Sequence, residues 1–261
     1  MRQERLYRTE AIVLRQRDYG EADRILTLLT PKGKLSALAP GVRRPTSRKA
    51  GHLGLFCRTQ LLLARGRNMD IVTQAESIEE FEGIRGDLLR YGYACYAGEL
   101  VERFAQEEDD NGALLNLLTF GLRWFAEEQD LLLGMCYFQL CLLSYSGYQP
   151  QLFSCVVCRS KIQPTTNFFS ADLCGLLCGG CGPRDAQTKA VSVNAQKVLR
   201  YLQTHDASDV RALRISRGTK REIESLLHHY LEYVLERELK SVVFLRRLRK
   251  ELRAAEGSSN D

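Results

Sequence analysis

Four cysteines at metal-ligand spacing constrain this chain more tightly than any other feature of it. They read Cys155-x2-Cys158 and, after 19 intervening residues, Cys178-x2-Cys181. A Cys-x2-Cys hook brings two thiolates to one ion from a single tight turn. Two hooks supply the four tetrahedral ligands that zinc accepts, with Zn–S bonds of roughly 2.3 Å. Four thiolates leave no open coordination position, so the expected ion is a structural Zn2+. It would hold a finger-like insert over residues 153–183, which has too little apolar content to fold alone. The glycines of GLLCGGCG fit knuckle turns around the ligands better than a phosphate cradle. An iron–sulfur cluster draws on the same thiolates, and colour in the purified protein separates the two. Cys174 is a spare thiol, and Cys155, Cys158, Cys174 and Cys178 form a second possible ligand set.

The remaining cysteines, Cys57, Cys95, Cys136 and Cys141, sit singly among apolar neighbours and read as small core residues. With 261 residues, 44% of them hydrophobic, the chain can bury an adequate core and global disorder is not expected. The charged start MRQERLYRTE lacks the apolar run of a signal peptide. No window reaches the roughly 18 apolar residues of a membrane span. The expected compartment is therefore the cytoplasm, where thiols stay reduced and clustered cysteines favour metal over disulfides.

The formal net charge of +5 conceals a strong segregation. Residues 1–75 hold 15 Lys and Arg against 6 Asp and Glu, whereas residues 81–150 hold 4 against 11. Residues 191–261 are basic again, with 14 against 10. Like charge gathered on one module focuses a field toward a polyanion, so the first module points to nucleic acid. The acidic middle is better suited to protein contacts.

The hydrophobic period divides the chain in the same place. Segments 7–15, 24–30, 35–39, 56–64 and 71–75 read as short strands, with Pro31 to Lys34 as a turn. Five short strands without a helix suggest a small antiparallel barrel, of which the OB-fold is the commonest form. From about Leu88 the period becomes helical, over 88–106, 113–128 and 130–147. The third of these is apolar nearly all round, as the buried helix of a bundle would be. After the cysteine insert, Ser192 and Asn194 can cap a helix running to about Thr204. From near Thr219 a stripe runs through Ile223, Leu226, Leu227, Tyr230, Leu231, Val234, Leu235 and Leu239. A basic amphipathic stretch, Val242 to Leu252, precedes a polar tail, EGSSND, expected to be disordered. The expected fold is thus α+β: an N-terminal OB-fold β-barrel over residues 1–80, then an all-α domain over 81–261 with a four-cysteine, zinc-finger-like insert.

No catalytic constellation emerges. The four histidines, His52, His205, His228 and His229, lack triad or zinc-ligand neighbours, and neither a Gly-x-Ser-x-Gly nor a Walker-type loop is present. The acidic run Glu107 to Asp110 lies between two helical segments and reads as a solvated loop. The chain reads as a binding protein, not an enzyme.

The cations of the first module fall in turns and strand ends: Arg15, Arg17, Arg24, Lys32, Lys34, Arg43, Arg44, Arg48, Lys49, Arg65 and Arg67. Binding a strand without sequence preference needs such a groove, with salt-sensitive affinity. Stacking aromatics are sparse, with Tyr7, Tyr19 and Phe56, and Phe56 reads as core, so phosphate contacts should dominate.

Several blocks carry a family likeness. RDYGEADRILTLLTPKGKLSALAPGVRRPTSR and ARGRNMDIVTQAE closely resemble the N-terminal domain of the bacterial RecO recombination and repair family. The likeness continues through LLSYSGYQPQLFSCVVC, FFSADLCGLLC and LHHYLEYVLERELKSVVFL. It implies an OB-fold, a helical domain and, in many members, a zinc-finger-like insert. It further implies binding of single- and double-stranded DNA, annealing of complementary strands, and work with RecR. Members help load RecA onto strands covered by single-strand-binding protein, in the bacterial cytoplasm at the nucleoid. Carried over by position, the loop at Arg43, Arg44 and Arg48 and the turn at Lys32 to Lys34 would contact DNA. Cys174 stands where the family usually has Gly. An RNA-binding OB and zinc-ribbon accessory factor is the alternative, separable by comparing DNA and RNA of one sequence. Whether the basic stretch Arg246 to Arg253 adds another DNA surface stays open at this level.

Overall fold

The alternating stretches of the N-terminal module form five strands that close on themselves. They are β1 (Leu6–Tyr19), β2 (Asp23–Thr30), β3 (Gly33–Ala39), β4 (Arg58–Ala64) and β5 (Asp70–Glu79), in the order β1-β2-β3-β5-β4. This is the OB-fold arrangement. The computed structural model describes residues 5–107, 110–184 and 187–258, without the side chains of 184, 253 and 255–258. β1 is longer than its apolar run because it serves two partners. Its first half pairs with β4 and its second with β2, and a bulge between Val13 and Arg15 makes the bend. Ala11, Val13, Leu26, Leu28, Ala37, Leu61, Leu63 and Val72 fill the barrel.

Closure depends on one short contact. β3 and β5 run parallel and pair only at Ala37↔Asp70 and Leu38↔Ile71, after which β3 ends and β5 continues. An edge so exposed carries unpaired backbone groups that must find other partners. The segment between β3 and β4 supplies them. Lys49 Nζ donates to the Val72 carbonyl at 2.9 Å, and the Ser77 backbone N–H donates to His52 Nδ1 at 3.2 Å. A one-turn 3-10 helix, Ala50–Leu53, places Leu53 in the barrel core. Gln16 donates from its amide to the Leu53 carbonyl, tying the seal to β1. Partial burial lowers the Lys49 pKa below the usual lysine value, with Asp23 acting against the shift.

The helices are α1 (Glu82–Arg85), α2 (Leu88–Phe104), α3 (Gly112–Glu127), α4 (Leu131–Tyr145), α5 (Val193–Thr204), α6 (Ala207–Ala212), α7 (Arg217–Leu235) and α8 (Lys240–Ser258). Their starts follow side-chain caps. Asp87 accepts from the Leu89 and Arg90 N–H groups, Asp130 from Leu133, Ser192 from Ala195 and Ser216 from Thr219. The chain packs as two compact units, Met1–Gln129 with Lys240–Asp261, and Asp130–Leu239.

In the first unit α2 and α3 sit at the end of the barrel that carries the β2–β3 turn. The Asn111 N–H donates to the Pro31 carbonyl, the Lys34 N–H to the Gln106 carbonyl, and Arg123 grips Glu79 with two hydrogen bonds of 2.8 Å. Phe56, buried as expected and held at φ 61°, fills the join against Gly98; a Cβ there would lie 2.6 Å from the ring. Of the acidic run, Glu107 lies in a turn and Asp110 accepts from the Gly112 N–H, while 108–109 lie outside the described residues.

In the second unit α4 is buried nearly all round, as its composition requires. A three-stranded sheet in the order β7-β6-β8 joins the helices: β6 (Asn167–Ser170), β7 (Gly175–Leu177) and β8 (Lys189–Val191). Two sequence expectations change. The apolar stripe of α7 ends at Leu235, because Glu236 takes a left-handed conformation (φ 52°) and stops the helix; Leu239 is buried beyond it. The polar tail is helical as far as Ser258, with 259–261 outside the described residues.

Lys49→Met should leave the Val72 carbonyl without its donor and cost about 1–3 kcal/mol, the penalty of one buried unsatisfied polar group. A urea unfolding curve reads this directly; an unchanged midpoint would remove Lys49 from the seal.

Candidate metal centre and nucleic-acid interface

The two cysteine hooks meet. The Sγ atoms of Cys155, Cys158, Cys178 and Cys181 all lie within 4.8 Å of one another, the separation expected of four ligands around one ion. Each hook is a hydrogen-bonded knuckle. In the first, the Arg159 N–H donates to the Cys155 carbonyl at 2.9 Å, and Arg159 takes φ 62° to close the turn. In the second, the Cys181 and Gly182 N–H groups donate to the Cys178 carbonyl at 3.0 and 2.9 Å. Gly182 is required by packing, since a Cβ there would run into the Phe168 ring.

The electrostatics favour thiolate. Hydrogen bonds from the Ser160 side chain and backbone lower the Cys158 pKa, and the backbone N–H groups of Gly180 and Cys181 lower that of Cys178. Burial works against Cys155, yet backbone donors from Cys158, Cys178 and Val157 hold it below the ordinary thiol value. Cys181 is pushed up to about 12, first by its hydrogen bond with Cys178, which favours its protonated form. A cation replaces that proton when it binds all four sulfurs. The donor set therefore fits a metal ion.

Cys174 stands outside this group. It occupies the β6–β7 turn at φ 54°, a conformation that favours glycine, and its sulfur faces the Ala171 and Asp172 carbonyls at 3.7 and 3.8 Å. The backbone thus explains why glycine suits this position.

The metal hooks are bound into the helices around them. Phe169 of β6 meets the Tyr230 ring of α7 edge-on at 5.3 Å. Asn167 donates to the Gln163 and Thr165 carbonyls and to Gln196 Oε1, while Gln196 donates to Thr165 and Val191. Arg200 donates to the Leu152 carbonyl at 2.8 Å and lies over the Phe153 ring.

The expected DNA-contacting cations divide into two groups. Around the β1–β2 turn, Asp18 accepts from Arg24 at 3.0 Å and faces Arg43 at 3.5 Å, with exposed Arg17 alongside on β1. The Arg43 N–H donates to the Ala22 carbonyl and Asp23 accepts from the Gly41 N–H, which fixes the β3–β4 loop on that turn. Arg44 and Arg48 are exposed on the same loop. Arg65 and Arg67 are exposed on the β4–β5 turn, with Arg65 over the Tyr7 ring at 5.0 Å. One hydrogen-bonded row joins these turns: Arg17↔Ile25, Ile25↔Leu38 and Leu38↔Ile71. Ile25, Leu38 and Ile71 are half-buried on the outer surface of the barrel, and Tyr19 is 52% exposed at the end of β1. Sequence reading passed over these three aliphatic residues. Their signal was the parity of β2 and β3, where Leu26, Leu28 and Ala37 point inward and their neighbours outward.

Lys32 and Lys34 lie at the other end of the β2–β3 hairpin, a strand length of about 23 Å away at the usual rise. Lys34 donates from Nζ to the Glu102 carbonyl at 2.9 Å, and Lys32 is exposed on the turn. Lys49 is committed to Val72, and exposed Arg15 faces Glu102 at 3.6 Å.

The family model described as Recombination protein O N terminal matches residues 1–81, and Recombination protein O C terminal matches residues 85–242. The chain belongs to the RecO family. A protein named DNA repair protein RecO from Roseiflexus sp. (strain RS-1) is 43% identical over 256 residues, covering 98% of this chain and 90% of its own length. A protein of the same name from Dehalococcoides mccartyi (strain ATCC BAA-2266 / KCTC 15142 / 195) is 40% identical, covering 92% of this chain and 94% of its own length. Another, from Pelotomaculum thermopropionicum, is 40% identical, with coverage of 93% and 94%. RecO membership gives the chain a role in DNA repair and recombination. No helix among the described residues is long and apolar enough to cross a membrane.

Cys158→Ser should abolish tight metal retention, whereas Cys174→Gly should keep one metal per chain by elemental analysis. Because ligand thiols must shed protons, lowering the pH should release the metal and raising it should not. Metal loss in the Cys174 variant alone would reassign the ligand set.

Proposed function

We propose that this RecO-family protein binds single- and double-stranded DNA through its barrel module, residues 1–80, and anneals complementary strands without catalysis. The observation that carries the reading is the outer row Ile25, Leu38 and Ile71, framed by arginines of three turns. In OB-folds the outer face of β2 and β3, walled by the β1–β2 and β4–β5 loops, is the surface that takes oligonucleotides. Here Arg17, Arg24, Arg43, Arg44 and Arg48 line one side and Arg65 and Arg67 another. The half-buried aliphatic row and Tyr19 give sugar and base edges an apolar floor.

The chemistry of annealing asks nothing more. Cations that neutralise two backbones lower their mutual repulsion, base pairing proceeds, and the salt-sensitive contacts let the duplex go. Exposed Lys32 extends the positive surface at the far end of the hairpin. The family resemblance supports cooperation with RecR and single-strand-binding protein, and through them loading of RecA in the cytoplasm at the nucleoid. Zn2+ is the ion we assign to Cys155, Cys158, Cys178 and Cys181, because four thiolates at tetrahedral spacing suit it and leave no reactive position. Its role is to hold the β6–β8 sheet.

Arg43→Glu with Arg44→Glu should weaken single-strand binding and slow annealing together. The slope of log affinity against log salt should fall by about 1.4, the share of two phosphate contacts at roughly 0.7 each. Fluorescence anisotropy across a salt series measures both, and unchanged affinity at physiological salt would sink the assignment of that face.

A further inference from the structure

Helix α8 is cationic on a face that packing leaves open. Its inner stripe, Val242, Leu245 and Leu248, is buried and lies along α2, where a Cβ on Gly92 would come within 3.2 Å of Leu245. Glu99 of α2 accepts from the Lys240 and Ser241 N–H groups at 3.2 and 2.8 Å and so fixes the helix start. Arg249 lies over the Tyr93 ring at 5.0 Å and donates to its hydroxyl. These contacts hold the helix and fix which side faces out.

The outer side carries Val243, Arg246, Arg247 and Lys250, all exposed. From 240 to 254 the sequence holds six Lys and Arg against one Glu. A solvated helix face is ordinarily stabilised by acidic partners at i±4, and here Glu251 serves Arg247 alone, at 2.8 Å. Among the described residues Arg246 and Lys250 have no ion-pair partner; they stand one helical turn apart, about 6 Å along the axis. Unneutralised like charges at that spacing repel one another and attract a polyanion. Val243, exposed on the same face, offers an apolar contact to unstacked bases.

We propose that the outer face of α8 is a second single-strand binding site, separate from the barrel face, so that one chain holds two strands. The inference rests on the DNA-annealing reading above and deepens it. A protein with one strand site anneals only when two loaded molecules meet; a protein with two sites brings both strands together itself.

The test uses the full chain with short oligothymidylates, each too short to bridge two sites. Wild type should bind two oligonucleotides per chain at low salt by titration calorimetry. Arg246→Glu with Lys250→Glu should bind one, with the remaining affinity unchanged, and should anneal about tenfold more slowly at limiting protein. Arg43→Glu with Arg44→Glu should also bind one, and the four-fold variant none. Arg246→Lys with Lys250→Arg should behave as wild type, and matching thermal unfolding curves show that each variant is folded. If the α8 variant binds and anneals as wild type while the barrel variant loses binding, the α8 site is overturned and the barrel reading stands. If only the α8 variant loses binding, the barrel reading fails and the α8 site stands alone.

Discussion

The two-residue parallel contact between β3 and β5 is the constraint on which the N-terminal module depends. It closes the barrel, yet it leaves most of the β5 edge without a strand partner beyond Ile71. That deficit dictates what the β3–β4 segment must do. Lys49 and His52 satisfy β5 backbone groups, and Leu53 fills the interior. With its second half committed to sealing, the loop presents its first half, Arg43 to Arg48, outward next to the β1–β2 turn. The same requirement that completes the hydrogen bonding of the barrel therefore also positions the arginines of the candidate DNA face.

The cysteine cluster solves a comparable problem in the second unit. A segment with three strands of three or four residues buries too little apolar surface to hold itself. Two knuckles tie its ends to one point, and Phe169, Asn167 and Arg200 lock it to α5 and α7. The cysteine cluster is thus continuous with the helical core. Its four sulfurs converge on one point, while the proposed phosphate contacts fall to arginines that the core does not consume.

Much of this was legible in the sequence because it rests on local rules. Period two gave the five strands, and Ser192 marked the start of the helix after the cysteine insert. The Cys-x2-Cys spacing gave the hooks, since a knuckle is made within five residues. Where a signal depended on chain reversal, it faded. The stripe through Leu239 looked like one helix because periodicity does not register a single left-handed residue such as Glu236. The short strands of the insert carried no period at all, being ordered by the sulfur cluster and by α7.

The sequence by itself determined the parts: an OB-type barrel, amphipathic helices, four thiols fit for one ion, and an uneven distribution of charge. Only the tertiary structure decided which cations act together. Lys32, Lys34, Lys49 and Arg43 are close in sequence and equal in charge. Folding gives Lys34 to the Glu102 carbonyl and Lys49 to the Val72 carbonyl, and sets Arg43 and Arg44 in solvent next to the β1–β2 turn. It likewise left Cys174 out of the sulfur cluster, and laid α8 along α2 with Arg246 and Arg247 outward. The reason is common to all of them: a charge or a thiol is available for binding only where backbone groups and core packing have no prior claim on it, and those claims come from residues distant in the chain.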